Sequence, residues 1–410
     1  MSEKSTKPAI RFEGFDDDWE QRKIGDFIKD TGSRTSDFNQ FPLYSLTIES
    51  GVTPKTQRYE RSFLVTKEDD LFKIVEPGNF VTNPMNLRFG AVGYNKESHS
   101  VSVSGYYDVF EIDNNQCSNF WNAYFRTASG LQKFDDAATG SLIEKRRVHY
   151  SELKKIDFFV PKSRDERISI GSFMEQLDNL ITLHQRKYNK LLTVKKSMLE
   201  KMFPKDGAHV PEIRFDGFTG PWEQRKLGDF TGKVTERNAG MSVTEAFTNS
   251  AEFGVISQLD FFDHAVSKDE SISGYTIVRP EDFVYNPRIS VTAPVGPINR
   301  NRLNRAGVMS PLYTVFRTDE SIDRVYLEHF FKTSGWHSYM QLNGNSGARS
   351  DRFSIGDDTF FAMPIPAPSL TEQRRLAAFL EGLDALITLH QRKLDKLKKI
   401  KAAMLEKLFV

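Results

Sequence analysis

The chain contains itself twice. Residues Pro8 to Phe27 (PAIRFEGFDDDWEQRKIGDF) recur as Pro211 to Phe230 (PEIRFDGFTGPWEQRKLGDF), with about 14 of 20 positions identical and an offset of 203 set by Trp19 and Trp222. A second block, Leu180 to Lys187 (LITLHQRK), returns unchanged as Leu386 to Lys393, followed in each case by Met-Leu-Glu-Lys, now at an offset of 206. Phe80, Asn83 and Pro84 match Phe283, Asn286 and Pro287 at 203, whereas Tyr107, Val109 and Phe110 match Tyr313, Val315 and Phe316 at 206. The three extra residues of the second copy are therefore placed after Tyr94. Between the anchors the copies diverge: Lys55 to Phe72 shares little with Gln258 to Gly274, and Lys96 to Ser104 differs from Arg300 to Ser310. Two like scaffolds with unlike loops suit two related, nonidentical ligands.

Each copy closes on a long helix. Ser163 with Glu166, and Ser369 with Glu372, form S-x-x-E capping boxes. From there Phe173, Leu177, Leu180, His184, Lys187, Leu191, Val194 and Met198 advance by fours and threes. Phe379, Leu383, Leu386, His390, Lys393, Leu397, Ile400 and Met404 repeat the pattern, which is a heptad seam. Pro204 and Gly207 stop the first helix, and each is about 39 residues, roughly 58 Å at 1.5 Å per residue. A helix of that length with a narrow apolar stripe needs a partner of its own kind. An antiparallel pair in one chain, with a globular body at each end, satisfies both. His184 and His390 are expected to fix register on the seam, and the run Lys393, Lys396, Lys398, Lys399 and Lys401 to form a solvated face.

Composition narrows the chemistry. Fifty-six Lys plus Arg against 55 Asp plus Glu leave a formal charge of +1 over 410 residues, so any polyanion-binding surface has to be local. The single cysteine, Cys117, excludes a disulfide framework and a four-thiolate zinc site. No apolar run resembles a signal peptide or a membrane span, which points to a cytoplasmic protein with no membrane partner. There is no G-x-G-x-x-G, no G-x-x-x-x-G-K-[ST], no G-x-S-x-G and no H-E-x-x-H, so neither catalytic nor metal residues are assigned. Asn83-Pro84-Met85 and Asn286-Pro287-Arg288 lack the second proline and the aromatic residue of the Asn-Pro-Pro-aromatic motif of amino-methyltransferases and read as strand-end turns.

The bodies read as α+β. Asn79 to Thr82, Tyr107 to Ile112 and Tyr313 to Phe316 alternate like short strands, while Phe120 to Leu131 and Arg324 to Met340 look helical. Their loops offer side chains suited to base edges and phosphates. In the first body these are Thr53, Lys55, Gln57, Asn86, Arg88, Asn95, Lys96, Lys145, Arg146 and Arg147. In the second they are Asn249, Ser250, Gln258, Arg288, Asn299, Arg300, Arg302, Arg305, Asn345, Arg349 and Arg352. The clusters Lys145 to Arg147 and Arg300 to Arg305 stand out.

Two variable bodies, each opened by R-F-x-G-F…W-E-Q-R-K-[IL]-G-D-F and closed by L-D-x-L-I-T-L-H-Q-R-K…M-L-E-K, resemble the specificity (S) subunit of type I restriction-modification systems. Gly90-Ala91-Val92-Gly93 and Val308-Met309-Ser310-Pro311-Leu312-Tyr313 are similar to framework motifs of that family. The first body lacks the proline at Val103 to Tyr107, and the second has Ala293-Pro294-Val295-Gly296 for the first motif. The resemblance implies a non-catalytic, DNA-binding subunit with two pseudo-symmetric target-recognition domains separated by an antiparallel coiled coil. It implies an N-terminal segment 1–20 circularly adjacent to the C-terminus, recognition domains 21–162 and 224–368, spacer helices 163–203 and 369–410, and a connecting segment 204–223. The partners implied are double-stranded DNA, two methyltransferase subunits carrying S-adenosylmethionine, and two restriction subunits using ATP and magnesium; this chain would bind no cofactor itself. Two other classes remain open: a protein–protein scaffold with duplicated binding domains, and an enzyme with two diverged active sites.

Overall fold

A computed structural model describes residues 6–55, 71–141, 146–205, 207–262, 269–345 and 351–410. The chain divides into two compact units, Met1–Arg186 with Gln391–Val410, and Lys187–His390.

In the first unit a four-stranded antiparallel sheet runs in the order Ile28–Asp30, Asp108–Ile112, Phe80–Thr82, Val92–Tyr94. Phe80, Phe110, Val92 and Ile112 are buried on one face, under a cluster of Trp19, Phe120, Trp121, Tyr124, Phe125 and Phe158. Val81 and Val109 point the other way, into a smaller core with Leu46, Val75, Val101 and Val103. This alternation is what a sheet covered on both faces requires. Glu20–Lys23 pairs with Asp157–Val160, so the first repeat block is stitched to the residues that lead into the long helix.

The second unit repeats the topology. Its sheet order is Thr231–Lys233, Thr314–Thr318, Phe283–Tyr285, Ile298–Arg300, and Glu223–Lys226 pairs with Pro364–Ala367. Strand register relocates the extra residues. Phe80 faces Tyr94, but Phe283 faces Arg300, so the offset is already 206 at that strand. The insertion lies in the connection between the two strands, 286–297, not after Tyr94, and the counterpart of Gly93 is Asn299 rather than Gly296. The segments read as single helices are each two: Ser118–Tyr124 and Ala128–Ala137, with the Thr127 side chain accepting from Gly130 N, and Arg324–Phe330 and His337–Asn343, separated by Thr333 to Gly335.

The long helices span Arg164–Lys201 and Leu370–Lys407, 38 residues each. The first half of one and the second half of the other belong to the first unit, and the complementary halves to the second, which is an antiparallel pairing. Each unit holds one interhelix ion pair, Lys401–Asp178 in the first and Lys195–Asp384 in the second. Leu177 and Leu383 are buried as expected, and Leu191, Val194, Met198, Leu397, Ile400 and Met404 pack partly buried against the cores. Phe173 meets Phe12 edge-on, the 36% exposed Phe379 meets Phe215 in the same way, and His184 and His390 are half-buried.

Leu180 and Leu386 depart from the expected seam: both are exposed, at 43% and 44%. The half-buried positions are Ile181 and Ile387, continuing stripes through Ile170, Met174 and Leu177 and through Leu376, Leu380 and Leu383. The sequence Leu-Ile-Thr-Leu places apolar residues on two helix faces at once, so periodicity alone selects the wrong one.

The capping boxes are half-formed. Glu166 N and Glu372 N each donate to the serine Oγ at 3.4 Å, but the carboxylates turn elsewhere. Glu166, 1% exposed, takes both Arg11 Nε at 2.7 Å and Arg11 Nη2 at 2.8 Å, and Trp19 Nε1 at 3.2 Å. Glu372 takes Arg214 at the same two distances. The repeated Ile-Arg-Phe block thus clamps the start of each long helix through a buried, bidentate ion pair.

Candidate nucleic-acid interface

Each unit raises one β-hairpin from the side of its small core: Tyr44–Thr47 with Gly51–Pro54, and Phe247–Ser250 with Gly254–Ser257. Both turns hold three residues followed by a glycine in the left-handed region, Gly51 at φ 69° and Gly254 at φ 70°, the geometry of a three-residue hairpin loop. A cation from the matching helix C-terminus braces each hairpin. In the first unit Arg126 donates to Val92 O at 2.7 Å and to Ile48 O and Glu49 O at 3.2 and 3.4 Å. Burial pushes its guanidinium below the ordinary value. In the second, Lys332 occupies the equivalent position and its ammonium reaches Asn299 Oδ1. Asn299 Nδ2 donates to Asn249 Oδ1 at 2.7 Å and to Ser250 O at 3.1 Å, and Asn286 Nδ2 donates to Asn249 O at 2.7 Å.

Beside the second hairpin opens a groove of about 510 Å³ that gathers Asn249, Ser250, Gln258, Arg288 and Arg352 with Phe261, Phe262, Tyr313 and Leu312. Five sequence candidates therefore share one surface. Arg288 is exposed and lies 3.6 Å from Asp351, and its backbone bridges to Arg352. Gln258 is half-buried, with Nε2 donating to Phe247 O at 3.2 Å. Asn249 and Asn299 are buried at 1% and 3% and serve the hairpin brace.

The Arg300 to Arg305 cluster is tied up in carboxylates. Arg300 is buried against Glu328 at 2.7 Å and Glu281, Arg302 bonds Glu328 at 2.8 Å and Glu381 at 2.6 Å, and Arg305 bonds Glu245 at 2.6 Å. Burial opposes ionisation of Glu328, but Arg302 and Arg300 hold its carboxyl below the usual range. Asn345 is exposed and its backbone pairs with Ser354.

In the first unit Lys55, Asn86 and Lys96 are exposed and Thr53 is half-buried opposite Ser45. Asn95, 1% exposed, spends its amide on Val75 O and His99 O, both at 2.9 Å. Arg146 donates to Asp135 O at 2.6 Å and to Ala138 O, and Arg88 bonds Asp135 at 3.3 Å. Arg147 is half-buried, 5.9 Å from the Tyr106 ring. Gln57, Lys145 and Arg349 lie outside the described residues.

His329, Glu381 and Asp384 bring ligand atoms within 4.8 Å of one another. Arg302 pairs with Glu381 and Lys195 with Asp384. Burial lowers His329 to about 4, and raises the Cys117 thiol to about 11 with help from Asp113. Among the described residues no helix is long and apolar enough to cross a membrane. Sequence reasoning missed the hairpin tips, with Ile48 47% and Phe253 61% exposed, and the braces Arg126 and Lys332. The glycines Gly51 and Gly254 were the available signal.

Residues 16–193 match the family described as type I restriction modification DNA specificity domain. Three solved structures are similar over nearly the whole chain. The S subunit of the type I restriction-modification system from M. genitalium has 11% identity, with 98% of this chain and 99% of that one covered and a TM-score of 0.53. The HsdS subunit from Thermoanaerobacter tengcongensis has 16% identity, 95% and 96% coverage and a TM-score of 0.44. A chain from a study of complex assembly and conformational transition of the type I R-M system has 16% identity, 95% and 97% coverage and a TM-score of 0.46. The first of these shows a shared fold.

Proposed function

We infer that this chain, whose residues 16–193 match the type I restriction modification DNA specificity domain, is a member of that family and reads an asymmetric, bipartite DNA site, one half with each unit. The observation that carries the reading is the duplication: one hairpin-bearing scaffold occurs twice, with different loops and a different brace around the same exposed tip. The long helices, shared by both units, act as the ruler that sets the unread spacer. One heptad added to each helix lengthens the pair by about 10.5 Å and should add roughly three base pairs at 3.4 Å each.

Leu180 and Leu183 on one helix, and Leu386 and Leu389 on the other, are exposed at 43% to 46% and lie about one turn apart. Uncovered leucines on the long helices suit the docking of two methyltransferase subunits, which would carry S-adenosylmethionine and the adenine chemistry. Two restriction subunits using ATP and magnesium would complete a cytoplasmic complex. Near-neutral charge fits this division of labour. With Arg300, Arg302 and Arg305 already paired, phosphate neutralisation is shared with the partners, and base reading falls to this chain.

Replacing residues 27–160 by the corresponding body of a relative tests the reading. The recognised sequence should change in one half only; a change in both halves contradicts it. A scaffold without DNA readout would instead show no linear loss of duplex binding with the logarithm of salt concentration.

A further inference from the structure

The hairpin turns are Ile48-Glu49-Ser50 and Ala251-Glu252-Phe253, and all six residues are exposed. Each tip therefore presents a carboxylate at the same register position, next to an apolar side chain, Ile48 or Phe253. Neither carboxylate has a hydrogen bond or ion pair among the described residues. Other acids of the second unit, Glu245, Asp282 and Glu328, are each bonded to arginine. Glu252 also lines the groove that holds Gln258, Arg288 and Arg352.

A carboxylate is repelled by phosphate, so on a DNA-facing tip it has a favourable place only opposite donors. In the major groove those donors are the exocyclic amines, N4 of cytosine and N6 of adenine. An apolar neighbour suits the thymine methyl group or a base edge. The tips are also tied to their surroundings, by Arg126 on the carbonyls of Ile48 and Glu49 and by Ser250 Oγ, which accepts from Glu252 N at 3.2 Å and Phe253 N at 3.3 Å while Asn299 holds the carbonyl of Ser250. Discrimination by a single acceptor requires that fixed geometry.

We propose that Glu49 and Glu252 are specificity-determining residues, each accepting a hydrogen bond from an exocyclic amine of cytosine or adenine in the major groove of its half-site. The assignment rests on the DNA-reading function inferred above. It inverts the usual search for base readers among cationic and amide side chains.

The test is selection from a randomised duplex library by the full chain, comparing the unaltered protein with Glu49→Ala, Glu49→Gln, Glu252→Ala and Glu252→Gln. Each alanine variant should flatten the preference at one base pair of one half-site by about 5- to 150-fold, leaving the other half unchanged. Each glutamine variant, which adds a donor, should shift the preferred base at that same position. Base preferences that survive all four substitutions, or uniformly tighter binding to every sequence, overturn the assignment, because removing an acid that merely sits near phosphate strengthens all complexes alike. An unaltered protein that enriches no motif, either alone or with methyltransferase subunits added, removes the proposed function as well, so the two failures are distinguishable. The tips are exposed, and an unchanged unfolding midpoint for each variant separates loss of reading from loss of fold.

Discussion

The two hairpins solve one packing problem in different ways. In the first unit the hairpin lies directly on the sheet: a Cβ on Gly93 would stand 2.9 Å from Gly51 Cα, so only glycine permits the approach. Arg126 then secures the turn by its carbonyls. In the second unit Asn299 replaces Gly93, the backbones are held apart, and a chain of amides from Lys332 through Asn299 to Asn249 and Ser250 fills the gap. A duplicated scaffold has thus kept the position of its exposed tip while exchanging backbone contact for a polar network. The lesson is that the tip's placement is the retained feature within this chain, and its support is interchangeable.

The largest difference between the units should appear in acid. His329 is 1% exposed with both ring nitrogens lacking a hydrogen bond, among Glu328, Glu381, Asp384 and Lys195, whereas Ala123 takes the corresponding place in the first unit. Burial favours the neutral imidazole, which titrates at about 4 in the fold against an ordinary value of 6.5. The unfolded chain therefore takes up its proton first. The contribution of His329 to stability should be full above pH 6.5 and fall by about 3 kcal/mol as pH drops to 4, with no counterpart at Ala123 of the first unit. Denaturant titrations at about pH 7.5 and 4.5 check this, and His329→Phe should flatten the dependence.

The brace itself comes next. Asn299→Ala leaves Asn249 Oδ1 and Ser250 O without their donor and should destabilise the second unit by about 2 kcal/mol. Arg126→Ala, whose turn carbonyls can be hydrated, should cost about 1 kcal/mol by the same unfolding assay. Equal losses would show that the two supports do not differ as described. Gly93→Ala should cost a further ~1 kcal/mol through backbone displacement. The smallest effect on the chain alone belongs to Leu180→Glu and Leu386→Glu, expected within about 0.5 kcal/mol of the unaltered protein. Both should nevertheless weaken co-purification with methyltransferase subunits.

Much of the architecture was legible from the repeat. The duplicated Trp19 and Trp222 blocks, the S-x-x-E starts and the long helices followed from pattern alone, because identical sequence in two places has to fold twice. The seam was less so, since Leu180 and Ile181 are both apolar and only packing decides which turns inward. Glu166 and Glu372 looked like local caps, yet Arg11 and Arg214, some 155 and 158 residues earlier, claim their carboxylates. The interface was the least legible part. Residue type ranked Arg300, Arg302, Arg305 and Asn95 as surface readers, but their pairing with Glu328, Glu381, Glu245 and buried carbonyls depends on tertiary neighbours that spacing does not encode. The hairpin tips went unremarked because glutamate, isoleucine and phenylalanine are not the residue types sought on a nucleic-acid surface.

Mapping N6-methyladenine genome-wide in cells with and without this chain bears most directly on the proposed bipartite reading. Methylation dependent on the chain should fall within two short sequence elements at a fixed separation, with no preference for the bases between them. Methylation confined to one continuous motif, or two elements at variable separation, would contradict it.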